Sequence, residues 1–539
     1  MAQNLTLEEI QNFKGSYPKQ IWYMFLVEMW ERFCFYGMRG VLTIFMADTI
    51  VNKFTGGGLG LTEKEANLKY GIIQALIWAF TFLGGIFADK ILGFKRSLVF
   101  GALVMIAGNF IIAVNPHSFF YLGITCSAIG TGFFKPNITS MVGFLYKDGD
   151  TRRDAGFSLF YSGINLGALL GGILCVLLGK YIGWSYAFLS SGTVMIIGLV
   201  TFLLTKKYIQ PIGNKPDANQ NLHVIDVDDT LQKVEADIKP VAKNAWWKEY
   251  AVYLFGLVCI PIILFLIKHS DFVIPVHTKY INDDIQIANL FMGVLAVVAV
   301  IYFLYITLRQ KEKGVISKLF AAFIFIFFYF VFETFFEQAG GSLAIFAEKN
   351  LSNSMFGFIH LDTNLVNNSA NSFFDIFLGL IAGLVWLWLS KRKAEPNTIN
   401  KFGISFLFMA ISYFVFYYLR YTANAQGTGA SLGVFTFAYL LISISEICLS
   451  PIGMSVVTKL SPKKIQGLMV GFWFLASAYG QYGAGLLGAA MSSDTKTTDM
   501  ERLINYTAGY KQMAYICIAA GVILIVCAPL IKKLMRGVR

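Results

Sequence analysis

The sequence predicts an all-α protein that crosses a membrane about fourteen times, and three observations carry that reading. The chain has 539 residues, 56% of them hydrophobic and only 14% charged, where a soluble domain carries about 25% charged residues. Apolar runs of roughly 20 residues recur along almost the whole length, each long enough to cross a hydrocarbon core about 30 Å thick. These runs are apolar all round, whereas the strands of a membrane barrel would alternate about every second residue over ten-residue segments.

Taken in order, hydropathy places spans near residues 20–46, 68–92, 98–115, 119–146, 155–181, 184–205, 250–267, 287–308, 319–339, 373–389, 402–419, 434–457, 468–491 and 514–534. The first follows a polar start of about nineteen residues and itself carries Glu28, Glu31, Arg32 and Arg39. A cleavable signal peptide has a short, uncharged apolar region, so that reading is set aside. Basic residues orient the rest, because Lys and Arg collect on the cytoplasmic side. With the N-terminus inside, about 30 of the 44 Lys and Arg fall in inner segments and about 11 in outer ones, while Arg32, Arg39 and Lys135 lie within spans. Both termini are therefore expected in the cytoplasm. Residues 208–245, with Pro211, Pro216, Pro240 and the acids Asp226, Asp228 and Asp229, read as a solvated linker with room for a short amphipathic helix. Six spans precede it and eight follow, which fits two six-helix bundles, 1–207 and 314–539, with an inserted two-helix hairpin at 246–313.

Several chemistries are absent from the pattern. The seven Cys sit singly within spans, without a disulfide framework or zinc-ligand spacing, and the five His fall in loops or at span ends. No metal site or cofactor is implied. The excess of 44 basic over 32 acidic residues lies in membrane-flanking segments, so it does not point to nucleic acid. No Gly-x4-Gly-Lys-Ser/Thr loop occurs, which argues against an ATP-driven pump.

The informative residues are ionisable groups inside spans, which cost at least about a few kcal/mol unless they pair or face water. Glu28 and Arg32 stand at i,i+4 with the acid first, a favourable helical pair, and Glu31 is offset to answer a second cation. Such a cation lies at Lys135, where Pro136 kinks the helix and Gly130 and Gly132 allow close approach. The bland readings are an ion pair that only fixes helix register and a lysine snorkelling to the interface. Glu333, Glu337, Asp375 and Glu446 are further acids on three later spans. A buried carboxylate protonates when desolvated and ionises beside a cation, the raw material of proton coupling. Gly163, Gly167 and Gly171 form a ridge for close helix packing, with Asn165 free to bond a substrate or a neighbouring helix.

At these residues the sequence resembles the proton-dependent oligopeptide transporter family of the major facilitator superfamily. The resemblance rests on the run Glu28 to Gly37, and on Gly84 to Asp89 followed by Gly93, Lys95 and Arg96, similar to the superfamily's gating loop. It continues through Phe160 to Gly167, Phe336 to Gly340 and Glu446 to Gly453, in order and in both halves, with a hairpin similar to that of bacterial members. The resemblance implies the major facilitator fold and proton-coupled import of di- and tripeptides by alternating access, across a bacterial inner membrane, with the proton as coupling ion and no obligate protein partner. It implies that Arg32 and Lys135 receive the peptide carboxylate and Glu446 its amino terminus, that Tyr36, Asn165 and Asn371 bond its backbone, and that Trp473 and Glu337 also line the pocket. Glu28, Glu31, Arg32, Lys135 and Glu337 would form the proton-linked pairs, and Asp89, Lys95 and Arg96 the gating loop.

Phe35, Trp78 and Ser372 depart from the family pattern, and Glu333 and Asp375 add acids at positions usually apolar. If these acids face the pocket, peptides with a cationic side chain are favoured; if they face an outer vestibule, they are indifferent. Two other functions fit part of the sequence. One is a transporter of non-peptide acids or peptide-like drugs. The other is a proton-translocating subunit of a membrane redox complex, which would string ionisable residues through consecutive helices rather than cluster them at one depth in both halves.

Overall fold

The computed structural model describes residues 6–49, 57–147, 150, 152–210, 212–214, 246–277, 282–462, 465–492 and 498–538. A short α1 (Leu7–Gln11) precedes six long helices: α2 (Gln20–Ala47), α3 (Glu63–Phe87), α4 (Phe94–Val114), α5 (Pro116–Gly143), α6 (Arg153–Tyr181) and α7 (Trp184–Thr205). Then come α8 (Trp246–Lys268) and α9 (Ile287–Leu308), and a second set of α10 (Lys313–Phe336), short α11 (Ser342–Asn350), α12 (Thr363–Lys391), α13 (Thr398–Tyr418), α14 (Leu432–Leu460), α15 (Gln466–Met491) and α16 (Asp499–Met535). Eleven helices are long and apolar enough to cross a membrane. The other long ones, α2, α5 and α15, have 28, 28 and 26 residues, about 39–42 Å at 1.5 Å per residue. They lose hydropathy to polar groups turned inward, such as Glu28, Arg32, Asn137 and Gln481, all buried.

Two helices begin well before the expected spans: α12 at Thr363 rather than near 373, and α16 at Asp499 rather than near 514. In α12 the early turns are rich in asparagine, which hydropathy scores as loop. Their amides are satisfied inside the bundle, Asn367 Nδ2 donating to Ala339 O at 2.8 Å and Asn364 Nδ2 to Glu348 Oε2 at 2.7 Å. The structure also adds two antiparallel ribbons that the spans did not foresee, β1 (Val273–His277) with β2 (Asn282–Gln286), and β3 (Ser354–Met355) with β4 (Ile359–His360). Of the expected linker, the stretch around Asp226, including any amphipathic helix, lies outside the described residues.

Glycines set the closest helix contact. A Cβ on Gly163 would meet the Phe25 ring at 2.8 Å, one on Gly167 the Met29 carbonyl at 2.2 Å, and one on Gly171 the Phe33 carbonyl at 2.3 Å. The i,i+4 ridge of α6 thus lies directly on the backbone of α2, on the turns that carry Glu28, Glu31 and Arg32. These glycines are structural.

The halves meet along two seams, α3 against α15 and α6 against α12. At the first, Gly71 and Gly485 pass so closely that a Cβ on either would fall within 3.0 Å of the other's Cα. The hairpin touches both halves: α8 packs on α5 and α3, while Tyr479 and Tyr482 of α15 donate to Met292 O (2.7 Å) and Asn289 Oδ1 (2.5 Å) of α9. Its opposite face exposes Leu254, Leu257, Ile262, Val297 and Ile301, a surface suited to lipid tails.

Gly167→Ala should therefore lower the thermal unfolding temperature in detergent, costing about 1–3 kcal/mol for an overpacked contact. Gly379→Ala, on a face of α12 where a Cβ meets open space, should be neutral or stabilising by about 0.5–1 kcal/mol through helix propensity. Equal effects at the two positions would contradict the packing role.

Candidate functional site

Four ionisable side chains form one buried network in the first half. Glu28 and Glu31 are fully buried, Arg32 is 2% exposed, and Lys135 reaches across from α5. Lys135 Nζ donates to Glu28 Oε1 at 2.6 Å, and Arg32 Nε approaches the same oxygen at 3.3 Å. The Arg32 guanidinium also forks onto Glu31, Nη2 donating to Oε1 at 2.5 Å and Nε to Oε2. Two acids and two cations cancel, as burial away from water requires. Glu28 Oε2 alone lacks a hydrogen-bond partner. The lysine does not snorkel to the interface.

A second pair joins the halves. Arg39, two turns along α2 from Arg32, is ion-paired with Glu337, which opens the 3₁₀ turn Glu337–Gly340 after α10. Tyr70 of α3 accepts from Arg39 Nε at 3.0 Å. Gly340 is required here, because a Cβ would lie 2.0 Å from the Tyr70 hydroxyl oxygen. Around this pair, at the end of the bundle away from the chain termini, Thr43 donates to Gly340 O and Asn368 Nδ2 to Gly40 O at 3.2 Å. There Lys180 bridges Glu348 and Asp362 at 2.6 Å each, and Arg502 holds Glu63 at 2.6 Å. This far end is closed by charge-assisted bonds between halves.

The third cluster belongs to the second half. Glu446 on α14 accepts from Asn371 Nδ2 on α12 at 3.1 Å and, across the seam, from the Tyr161 hydroxyl at 3.2 Å. Asp375, one turn beyond Asn371, lies within hydrogen-bonding reach of Glu446 and of Ser443. Glu333 sits beside the Tyr329 hydroxyl. Among the described residues no lysine or arginine pairs with Glu333, Asp375 or Glu446. Tyr36 stands between the clusters, with Arg32, Arg39, Glu337 and Glu446 all among its electrostatic neighbours.

The structure thus brings Glu28, Glu31, Arg32, Lys135, Tyr36, Glu337, Asn371 and Glu446 to one central polar region. Asn165 lies on the α2-facing side of α6, 7% exposed. Trp473 is packed away from these groups, 2% exposed and stacked on Tyr329 with centroids 3.7 Å apart. Asp89, Lys95 and Arg96 lie at the termini end. Asp89 is in a wide turn closed by Gly93 at φ 77°, Lys95 donates to Asn214 Oδ1 at 3.0 Å, and Arg96 pairs with Glu249 of the hairpin at 2.5 Å. Phe35 turns its ring to the Arg32 guanidinium, 4.9 Å from the centroid, and Trp78 stacks on Phe474 across the seam. Sequence reasoning gave no role to Arg39 or Lys180. Arg39 was legible as an intramembrane charge seven residues from Arg32, on the same helix face; Lys180 at a span end carried no such signal.

The POT family profile, PTR2, matches residues 95–504. The chain belongs to the POT family. It is 32% identical over 97% of its length, and 96% of the relative's, to the peptide transporter YePEPT of Yersinia enterocolitica. It is 26% identical to dipeptide and tripeptide permease B of Aliivibrio fischeri, over 96% of each chain. A crystal structure of a peptide transporter POT in complex with sulfate superposes with a TM-score of 0.78 at 28% identity, over 99% of this chain and 100% of that one. A POT family transporter in complex with 5-aminolevulinic acid gives the same score at 26% identity, over 98% and 100%. The protein is a transporter of the major facilitator fold, not an enzyme.

Removing one member of the buried network should unbalance it. Lys135→Met leaves Glu28 and Glu31 sharing Arg32 and should cost ~3 kcal/mol of stability in detergent. The double variant Lys135→Met with Glu28→Gln should recover most of that loss, because a neutral Glu31–Arg32 pair remains. Additive losses in the unfolding scans would show that Glu28 and Lys135 are not coupled.

Proposed function

We propose that the protein is a proton-coupled symporter that imports di- and tripeptides across a bacterial inner membrane by alternating access, with both termini in the cytoplasm. The moving bodies would be residues 1–207 and 314–539, and the hairpin at 246–313 would ride between them. The observation that carries this reading is the division of charge: two cations, Arg32 and Lys135, in the first half, and Glu446 without a basic partner in the second. A zwitterion matches that division, its carboxylate towards Arg32 and Lys135 and its ammonium towards Glu446. Tyr36, Asn165 and Asn371 would bond its backbone, and Trp473 would back the pocket from behind Tyr329.

Coupling follows from the same network. A substrate carboxylate competes with Glu28 and Glu31 for Arg32 and Lys135. An acid that loses its cation while fully buried must take up a proton, since an unpaired carboxylate there is too costly. Peptide binding and proton binding are thereby linked with positive sign, and linkage is reciprocal. Glu337 would do the same with Arg39: protonation frees the arginine and loosens the closed far end, which in this orientation is the outer gate. The loop at Asp89, Lys95 and Arg96 would serve the inner gate. The coupling ion is the proton, and no cofactor is needed. The resemblance to a structure holding 5-aminolevulinic acid, a small zwitterion of the same polarity, supports a second reading in which non-peptide amino acids share the site.

In proteoliposomes, an inward proton gradient should accelerate uptake of alanyl-alanine and a protonophore should abolish accumulation. Uptake indifferent to the protonophore would contradict symport. Glu446→Gln should weaken alanyl-alanine by about tenfold or more, the loss expected when one partner of a buried charge pair is removed, and leave N-acetylated peptide nearly unchanged. Equal losses for both would remove Glu446 from the amino-terminal role.

A further inference from the structure

Asp375 has no place in the exchange just described, yet it is 6% exposed, touches Glu446, and leaves Oδ1 buried without a hydrogen-bond partner. Two carboxyl groups in contact do not both ionise. They hold one proton between them, one acting as donor and the other as acceptor. The surroundings supply no alternative. Ser443 and Asn371 offer neutral bonds, Tyr161 is the titratable group facing from α6, and the next charges are Tyr36's neighbour Arg39 and its partner Glu337, with Glu333 beyond. The first half balances every acid with a cation, and the second half carries one acid more than a single ammonium can satisfy.

We propose that Asp375 determines specificity for substrate charge: it keeps a proton shared with Glu446 when the substrate brings one positive charge, and gives that proton to solvent when the substrate brings a second. This rests on the peptide reading above. The peptide's amino terminus takes Glu446, and a cationic side chain on the first residue, the one nearest that terminus, takes Asp375 in place of its proton. Charge in the pocket is then the same for alanyl-alanine with the proton and lysyl-alanine without it. The linkage has a definite sign. Protons compete with the lysine side chain, so preference for lysyl-alanine over alanyl-alanine grows as pH rises, by up to about tenfold per pH unit for one proton exchanged, and levels off once Asp375 is ionised without help.

The test is titration calorimetry of the purified transporter with both peptides, at several pH values and in two buffers of different ionisation enthalpy, which counts protons. The wild type should release about one proton more per lysyl-alanine than per alanyl-alanine. Asp375→Asn should erase that difference and its pH dependence, and Asp375→Glu, which keeps the acid, should retain both. Equal proton counts for the two peptides in the wild type, or a difference that survives in Asp375→Asn, overturns the proposal. If neither peptide binds the folded wild type, the peptide reading fails first and this inference with it. If alanyl-alanine binds and the proton counts match, only this inference fails.

Discussion

The pairing of Lys135 and Arg32 with Glu28 and Glu31 is the constraint on which the first half depends. At hydrocarbon depth a lone charge is not tolerated, so α2 and α5 must hold their four ionisable groups in register. Register in turn needs α6 to lie directly on α2, which is why Gly163, Gly167 and Gly171 line its inner ridge. Sequence, packing and charge are here one requirement. A helix pair held that closely moves as a unit, the property a rocking bundle needs.

The second half obeys a different rule. Its acids rest on neutral donors, Asn371, Ser443 and Tyr161, in place of lysines or arginines. Neutral donors stabilise a carboxylate less than a cation does, so the site retains an appetite for positive charge. Tyr161 reaches Glu446 across the seam, and Arg39 reaches Glu337 across it at the far end. The ligand-hungry group and the gate are thereby connected to the same two bodies, and a ligand that prefers one arrangement of those bodies shifts the population toward it.

Much of this was legible in the sequence, because a charge in an apolar span has few explanations. Glu28, Arg32, Lys135, Glu337 and Glu446 declared themselves on that ground alone. What stayed hidden was partner choice over long sequence separation: Arg39 with Glu337, and Lys180 with Glu348 and Asp362, are set by how helices cross, which hydropathy does not encode. The early turns of α12 were lost for a related reason. Asn364 and Asn367 read as loop because their amides are polar, and only the assembled bundle shows that each has a partner. Trp473 illustrates the reverse error. An aromatic in a transporter helix invites a substrate role, and here its ring is spent on Tyr329 in the core of the second half.

The central claim is that cations of the first half and uncompensated acids of the second fix the polarity of the substrate. The most direct measurement is a structure of the protein with alanyl-alanine bound. The account predicts the peptide carboxylate against Arg32 and Lys135 and its ammonium against Glu446 and Asn371. A peptide bound with the opposite polarity, or with its ammonium away from Glu446, would contradict it.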